Sequence, residues 1–329
     1  MSQSGAIGRN GRGFLGAIGK REYSVHSASD RTLLAAGLIL GYAMIIGFID
    51  NYVRYIAEEA GLWQFHAIRM VMAVGVLAVA AVPLTLRLRP INRRAVAARS
   101  ALHATAMLIY FGALAFLPVA IVAAGQFTAP MFVLLISALI YGERIGPLRI
   151  AAVLLGFAGV VMLLGPEAMR GASLPALLPV LTGALYAMSN VATRKWCEGE
   201  SAETLVGGFF LALGLIGLIG MLMLWWFPME VPAGVEGFLQ RGPVWPSGRF
   251  YFWTFVQAAG SLLAVGMMVR AYQLADATRV SVFEYMILPA AAFWGWLIWG
   301  QVLTTAALVG MAMIIAAGLM IAAGARVSA

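Results

Sequence analysis

Leu117–Gly142 reads LPVAIVAAGQFTAPMFVLLISALIYG, a run without a single Lys, Arg, Asp or Glu. At about 1.5 Å per residue, such a stretch crosses the ~30 Å hydrocarbon layer of a bilayer as one helix. Pro130 interrupts it near its middle, with Gln126 one turn earlier. A proline inside a helix frees a backbone carbonyl, which a membrane protein tolerates where a neighbouring helix or a wet cavity satisfies it. The pattern returns in Val280–Gln301, VSVFEYMILPAAAFWGWLIWGQ, where Pro289 lies mid-span behind Glu284 and Tyr285. Setting Pro130 over Pro289 places Gln126 over Tyr285 and Gly125 over Glu284. Two interrupted spans in corresponding positions of two halves point to the binding site of a transporter, with Pro130 and Pro289 as its structural hinges.

Composition sets the class. Of 329 residues, 62% are hydrophobic and 11% charged, with a mean hydropathy of +0.90. Soluble domains carry about a quarter charged residues, so the chain is an all-α polytopic membrane protein. The net charge of +8 does not form a nucleic-acid face, because the basic residues lie between apolar runs. The single cysteine, Cys197, excludes an internal disulfide and a cysteine-based metal cluster. No zinc-protease motif, phosphate loop or dinucleotide fingerprint occurs, and His26, His66 and His103 are far apart in sequence. These features predict no metal, no cofactor and no catalytic residue.

Residues 1–31 are Gly/Ser-rich and basic, and read as a disordered cytoplasmic tail without a signal-peptide core. Ten spans are predicted after it: 32–50, 64–85, 99–117, 119–141, 147–165, 174–194, 204–227, 250–274, 278–299 and 304–325. Leu117-Pro118 alone separates the third from the fourth, which makes those two antiparallel neighbours. The one long connection, 228–249, carries Pro228, Pro232, Pro243 and Pro246 and is expected to lie along the outer, periplasmic membrane surface. With the amino terminus inside, sixteen basic residues fall on the inner side, including the Arg87/Arg89/Arg93/Arg94/Arg99 cluster. Only Arg54, Arg170, Arg241 and Arg249 fall outside, and Arg69 and Arg270 lie within spans. The positive-inside rule therefore places both termini in the cytoplasm of a bacterial inner membrane.

Ten spans divide into five-helix repeats over 32–165 and 174–325. The first begins inside and the second outside, so the repeats are inverted. Each proline-bearing span is followed by a glycine-containing last span, with Gly156 and Gly159 in one half and Gly310 and Gly318 in the other.

These residues resemble the drug/metabolite transporter superfamily, and within it the EamA-type members. The resemblance rests on Pro130 in a fourth span entered by a short hinge, on Gly142-Glu143, and on the Gly-rich LLGFAGVVMLLGP. Phe65-His66-Ala67-Ile68-Arg69 is similar to a Phe-x-x-x-Arg entry to the second span. Phe283-Glu284-Tyr285 and Pro289 extend the likeness to the second half, whereas Gly300-Gln301 stands where many relatives have Gly-Glu. The resemblance covers about residues 32–325. It implies ten helices around a central cavity opened alternately to each side, and substrates such as adenosylmethionine-, choline- or amino-acid-like compounds and flavins.

Ionisable groups within the membrane are functional candidates because burying them in lipid is expensive. Glu284 lies five residues beyond Arg279, roughly 7–8 Å along a helix. It reads as a cation or proton site, or as a structural partner of Arg270 or Arg279. Arg69 reads as a carboxylate-binding group or as a residue snorkelling to headgroups. His66, one turn before Arg69 on the same face, and His103 read as proton relays or as hydrogen-bonded packing residues. Gln126 is a neutral amide beside a broken backbone, suited to hydrogen-bond a solute. Tyr285, Tyr110, Tyr186, Asn190, Tyr272 and Gln273 are further polar candidates, each with an interhelical bond as the alternative. Asp50, Asn51 and Arg54 read as a surface cap or an outer gate.

Trp294, Trp296 and Trp299 form either an aromatic cage for a quaternary ammonium or part of the interfacial belt, which Tyr251 and Trp253 also fit. Gly37-x-x-x-Gly41 and the Gly214/Gly217/Gly220 series permit close helix approach, within the bundle or in a homodimer.

The expected function is a secondary carrier, monomeric or homodimeric, for a small polar metabolite of cationic or zwitterionic character. The alternative substrate is riboflavin or another aromatic compound, with a proton or ion as the coupling partner. An intramembrane enzyme and a channel or sensor are the rival classes. The first needs a converging nucleophile, metal site or acid–base pair, and the second a ring of repeated polar residues.

Overall fold

A computed structural model describes residues 25–117, 119–165, 175 and 177–327. Residues 1–24, Pro118, 166–174 (with Arg170), Ala176 and 328–329 lie outside the described residues, so most of the expected tail and the start of the sixth span do as well. The first half comprises α1 (Val25–Asp50), α2 (Val53–Glu59), α3 (Leu62–Ala81), α4 (Arg93–Ala113), α5 (Val119–Gln126), α6 (Ala129–Leu139) and α7 (Pro147–Leu164). The second comprises α8 (Leu177–Lys195), α9 (Ala202–Trp226), α10 (Gly248–Leu274), α11 (Ala277–Phe283), α12 (Ile287–Trp299) and α13 (Thr305–Val327).

Local chemistry sets these boundaries. Asn92 caps α4 by accepting from the Ala95 amide at 3.1 Å, and Ser201 caps α9 by accepting from the Thr204 amide at 3.2 Å. Pro147 opens α7, where its missing N–H costs nothing. Gly300 closes α12 with φ of 63°, a conformation favoured by glycine.

The two halves pack on each other in mirrored pairs. Helix α1 packs on α10 as α8 packs on α4, and α3 on α10 as α9 on α4. In the same way α12 packs on α1 as α5 and α6 pack on α8, while α3 meets α9 and α7 meets α13 across the centre. That reciprocity is what two inverted five-span units produce. At the α7–α13 crossing, Cβ atoms added to Gly159 and Gly310 would lie 2.7 and 2.6 Å from each other's carbonyl oxygens. The backbones touch there, and any side chain would force the two helices apart. The Gly214/Gly217/Gly220 series faces α3 in the same manner, within the bundle.

Among the described residues, eight helical stretches are long and apolar enough to cross a membrane. Helices α4 and α8, of 21 and 19 residues, are as long but more polar, and complete the ten. Their polarity is internal: Arg99 Nε donates to Thr193 Oγ1 at 2.9 Å, and His103 Nδ1 lies 3.0 Å from Ser189 Oγ. Facing each other, the two helices hide their polar side chains from lipid, as a bilayer requires.

Four expectations need correction. Helix α1 begins at Val25, so residues 25–31 are helix rather than tail. Helix α4 begins at Arg93, six residues early, and Arg99 is fully buried instead of lying at the membrane surface. The backbone breaks precede the prolines: Phe127-Thr128 separates α5 from α6, and a 3-10 turn, Glu284–Met286, separates α11 from α12. Pro130 and Pro289 lie in the first turns that follow, where the ring is tolerated. The long connection 228–249 also does not simply skirt the membrane. Its 3-10 turn Gly234–Phe238 packs on α2, Arg241 donates to the Ala57 carbonyl at 2.7 Å, and the Gln64 amide exchanges hydrogen bonds of 2.7 and 3.0 Å with the Val244 backbone.

Candidate functional site

A cavity of about 500 Å³ lies between the halves. Both backbone breaks reach it, α5 contributing Gln126 and the 3-10 turn Glu284. From there it extends past Asp50 and Asn51 to Leu114, Leu164 and Phe238, which stand at the end of the bundle carrying α2 and the long connection. The opposite end carries the arginines of the α3–α4 connection. Aromatic walls come from Tyr42, Tyr110, Phe111, Phe127, Tyr186 and Phe209.

Glu284 marks the inner end. Its carboxylate accepts from the Tyr272 hydroxyl and, at 3.3 Å, from Asn190 Nδ2. Neither Arg270 nor Arg279 pairs with it: Arg270 bonds Gln273, and Arg279 faces Asp276. The acid is therefore buried against neutral donors, and among the described residues its charge has no counter-ion. Beside it the Tyr42 hydroxyl lies 3.3 Å from that of Tyr186, which in turn donates to Met268 Sδ. Tyr272, Asn190, Thr193 and Arg99 are buried without lining the cavity, and form a sealed polar layer between it and the arginine-rich end.

Arg69 lies on the same cavity, buried rather than snorkelling to headgroups. Its guanidinium sits 5.5, 6.0 and 5.2 Å from the ring centres of Phe65, Phe111 and Phe210, a cation–π setting that holds the charge in the interior. Nη2 donates to Ser261 at 2.5 Å, Ser261 to Gln257 Oε1 at 2.8 Å, and Gln257 Nε2 to Asp50 at 2.9 Å. This relay joins Arg69 on α3 to Asp50 on α1 without a direct ion pair. Among the described residues Nε of Arg69 and Oε1 of Gln126 have no partner, so both retain hydrogen-bonding capacity.

Of the residues singled out in the sequence, Glu284, Gln126, Arg69, Tyr110, Tyr186 and Pro130 line one cavity. Asn190 and Tyr272 stand behind Glu284. Asp50, Asn51 and His103 line the cavity too, whereas the side chain of Arg54 is not among those described. Tyr285 is fully buried, its hydroxyl 3.4 Å from the Val153 carbonyl and its ring against Gly156. His66 is buried between Phe65 and Phe111, and neither ring nitrogen has a partner among the described residues. Trp294 donates to the Met44 carbonyl at 3.0 Å and packs edge-on to Phe48, and neither it nor Pro289 lines the cavity. Tyr42 went unrecognised in the sequence. Its signal is a hydroxyl in the middle of an otherwise apolar span.

The arginine-rich end is closed by ions. Asp276 faces Arg149 at 3.5 Å, Arg194 at 3.2 Å and Arg279 at 3.7 Å, tying α7 and α8 to the start of α11. Lys195 and Glu143 pair at 2.7 Å beside it. Each such half-exposed pair is weak alone, about 0–1 kcal/mol, so this seal is one that can part. Cys197 lies outside the spans and is buried; burial, with help from Glu200 and against Arg99, pushes its thiol up to about 11. It stays protonated and unreactive at neutral pH.

Comparison with known proteins gives the site a context. Residues 33–165 match the EamA-like transporter family. A riboflavin transporter of Rhizobium johnstonii is 31% identical over 59% of this chain and 58% of its own length. The match thus spans little more than half of that relative. The pseudopaline exporter CntI of Pseudomonas aeruginosa is 28% identical over 67% of this chain and 71% of its own. A solved crystal structure, 19% identical, superposes with a TM-score of 0.70 over 88% of this chain and 97% of that one, a likeness of fold alone.

Proposed function

We propose that this chain, whose residues 33–165 match the EamA-like transporter family, is a secondary transporter that moves a small ring-bearing, zwitterionic or cationic solute by alternating access. The observation that carries the reading is the position of one cavity between two broken spans, sealed by a buried polar layer and an ion cluster at one end only. Gln126 and Glu284 stand at the breaks, and the aromatic walls offer stacking surface for a flat ring. Glu284 attracts a positive group or accepts a coupling proton, and Arg69 attracts a carboxylate. The solute leaves unchanged, and a gradient supplies the energy.

A neutral flavin-like substrate is the second reading, favoured by the aromatic walls and by the riboflavin transporter among the relatives. The distribution of Arg and Lys supports a bacterial inner membrane with both termini in the cytoplasm, so the cavity described here opens outward. Access from the cytoplasm then requires the Asp276 cluster and the layer below Glu284 to separate.

Spin labels test this motion in a cysteine-free chain. One pair, at Phe116 and Gln301, flanks the cavity mouth; the other, at Arg144 and Arg270, flanks the ion cluster. All four positions are exposed. Adding a transported solute is expected to shorten the first distance and lengthen the second in the same population of molecules. Distances that stay fixed, or move in the same sense, would rule out alternating access around this cavity.

A further inference from the structure

A second cavity of about 490 Å³ lies between α3, α4 and α9 and shares no lining residue with the first. Val74 and Leu77 on α3, Val96 on α4, and Leu211 and Leu215 on α9 make it apolar. Val74, Leu211 and Leu215 are 40%, 48% and 47% exposed, so the cleft opens sideways toward the bilayer. Along α9 it runs from Glu203 to Leu215, roughly 18 Å of helix axis. One leaflet of a ~30 Å hydrocarbon core is about as deep.

The mouth is not apolar. Arg93 and Glu203 both line it, yet they form no ion pair with each other. Among the described residues Arg93 has no ion-pair partner, and Glu203 accepts only from the Arg87 backbone amide, at 3.3 Å. Seven residues beyond Arg93 on α4, about 10 Å deeper, Ser100 also lines the cleft. Ser100 is 2% exposed, and its hydroxyl has no hydrogen-bond partner among the described residues. A buried hydroxyl without a partner is costly, which argues for an occupant that supplies an acceptor.

We propose that this cleft is a phospholipid site, taking one acyl chain and recognising a zwitterionic, ethanolamine-type headgroup. The phosphate meets Arg93, the ammonium meets Glu203, and an ester carbonyl accepts from Ser100. An anionic headgroup without the ammonium satisfies Arg93 but meets the Glu203 carboxylate. Charge complementarity therefore selects phosphatidylethanolamine over phosphatidylglycerol. The assignment is independent of the transported solute.

Native mass spectrometry of the full chain, released from vesicles holding equal phosphatidylethanolamine and phosphatidylglycerol, tests it. One retained phosphatidylethanolamine is expected at several-fold excess over phosphatidylglycerol. Glu203→Gln should abolish that preference, Arg93→Gln should lower retention of both lipids, and Ala212→Trp should fill the cleft and displace either. Arg93 and Glu203 are not in the core, so their variants carry the test if Ala212→Trp misfolds. Equal retention by the parent, or a preference that survives the Arg93→Gln/Glu203→Gln double change, overturns the proposal. So does a lipid-free dimer that dissociates on Ala212→Trp, which would make the cleft an interface with a second copy.

Discussion

Replacing Glu284 with glutamine is expected to cut exchange of a positively charged or zwitterionic solute at least tenfold while leaving the fold intact. Glutamine nearly matches glutamate in volume, and its amide oxygen still accepts from Tyr272 and Asn190. What disappears is the charge and the ability to hold a proton. A hydrogen bond to a charged group contributes about 1.5–3 kcal/mol, which corresponds to roughly tenfold to a hundredfold in affinity. The size of the effect follows from isolation: among the described residues no cation lies beside the buried acid, so a solute cation or proton is its natural counter-ion. Labelled tryptophan and choline exchange, measured on reconstituted parent and variant, reads the result. Exchange within twofold of the parent by a folded variant would make Glu284 structural and remove the basis for a cationic group on the substrate.

Arg69→Gln separates the two substrate readings. Exchange of a carboxylate-bearing solute such as tryptophan should fall about tenfold or more, because a charge-assisted bond in a water-poor cavity is lost. Choline and riboflavin have no carboxylate and should remain within twofold of the parent. The Ser261–Gln257–Asp50 hydrogen bonds do not depend on Arg69 and should survive, although contacts with Phe65, Phe111 and Phe210 worth about 0.5–1 kcal/mol each go with the guanidinium. Riboflavin exchange alone in the parent, untouched by the change, would favour the neutral flavin-like solute. Equal losses for all three compounds would show that Arg69 supports the bundle and does not select substrate.

The broken spans were legible because proline and a polar side chain are conspicuous in a run of apolar residues. Their break points were displaced, and the reason is local. A proline removes an N–H that would bond the carbonyl four residues back, so the helix fails around Gln126 and Tyr285 while the proline itself fits the first turn of the next segment. Glu284 and Gln126 stood out for the same reason of contrast.

Tyr42 did not, because a tyrosine in a membrane helix reads equally well as an interfacial anchor. Asp50 and Asn51 looked like a surface cap at the end of a span. Only the fold of 228–249 over α2, with Phe238 reaching the cavity, makes that end an interior wall. Arg99 was counted with its basic neighbours, since nothing in the residues before it announces that α4 has already run two turns. Burial of a whole arginine requires Thr193 and the Leu205 carbonyl from two other helices, which is tertiary information.

Counterflow in proteoliposomes tests the central claim most directly. Vesicles are loaded with an excess of unlabelled tryptophan, choline or riboflavin, and the same compound is offered outside with a trace label. A carrier with one alternately exposed cavity must accumulate label transiently above equilibrium, saturably, and only when its own substrate is inside. That overshoot is the predicted result for at least one of the three compounds. Passive equilibration that never overshoots, at rates that do not saturate, would contradict a carrier and point to a channel.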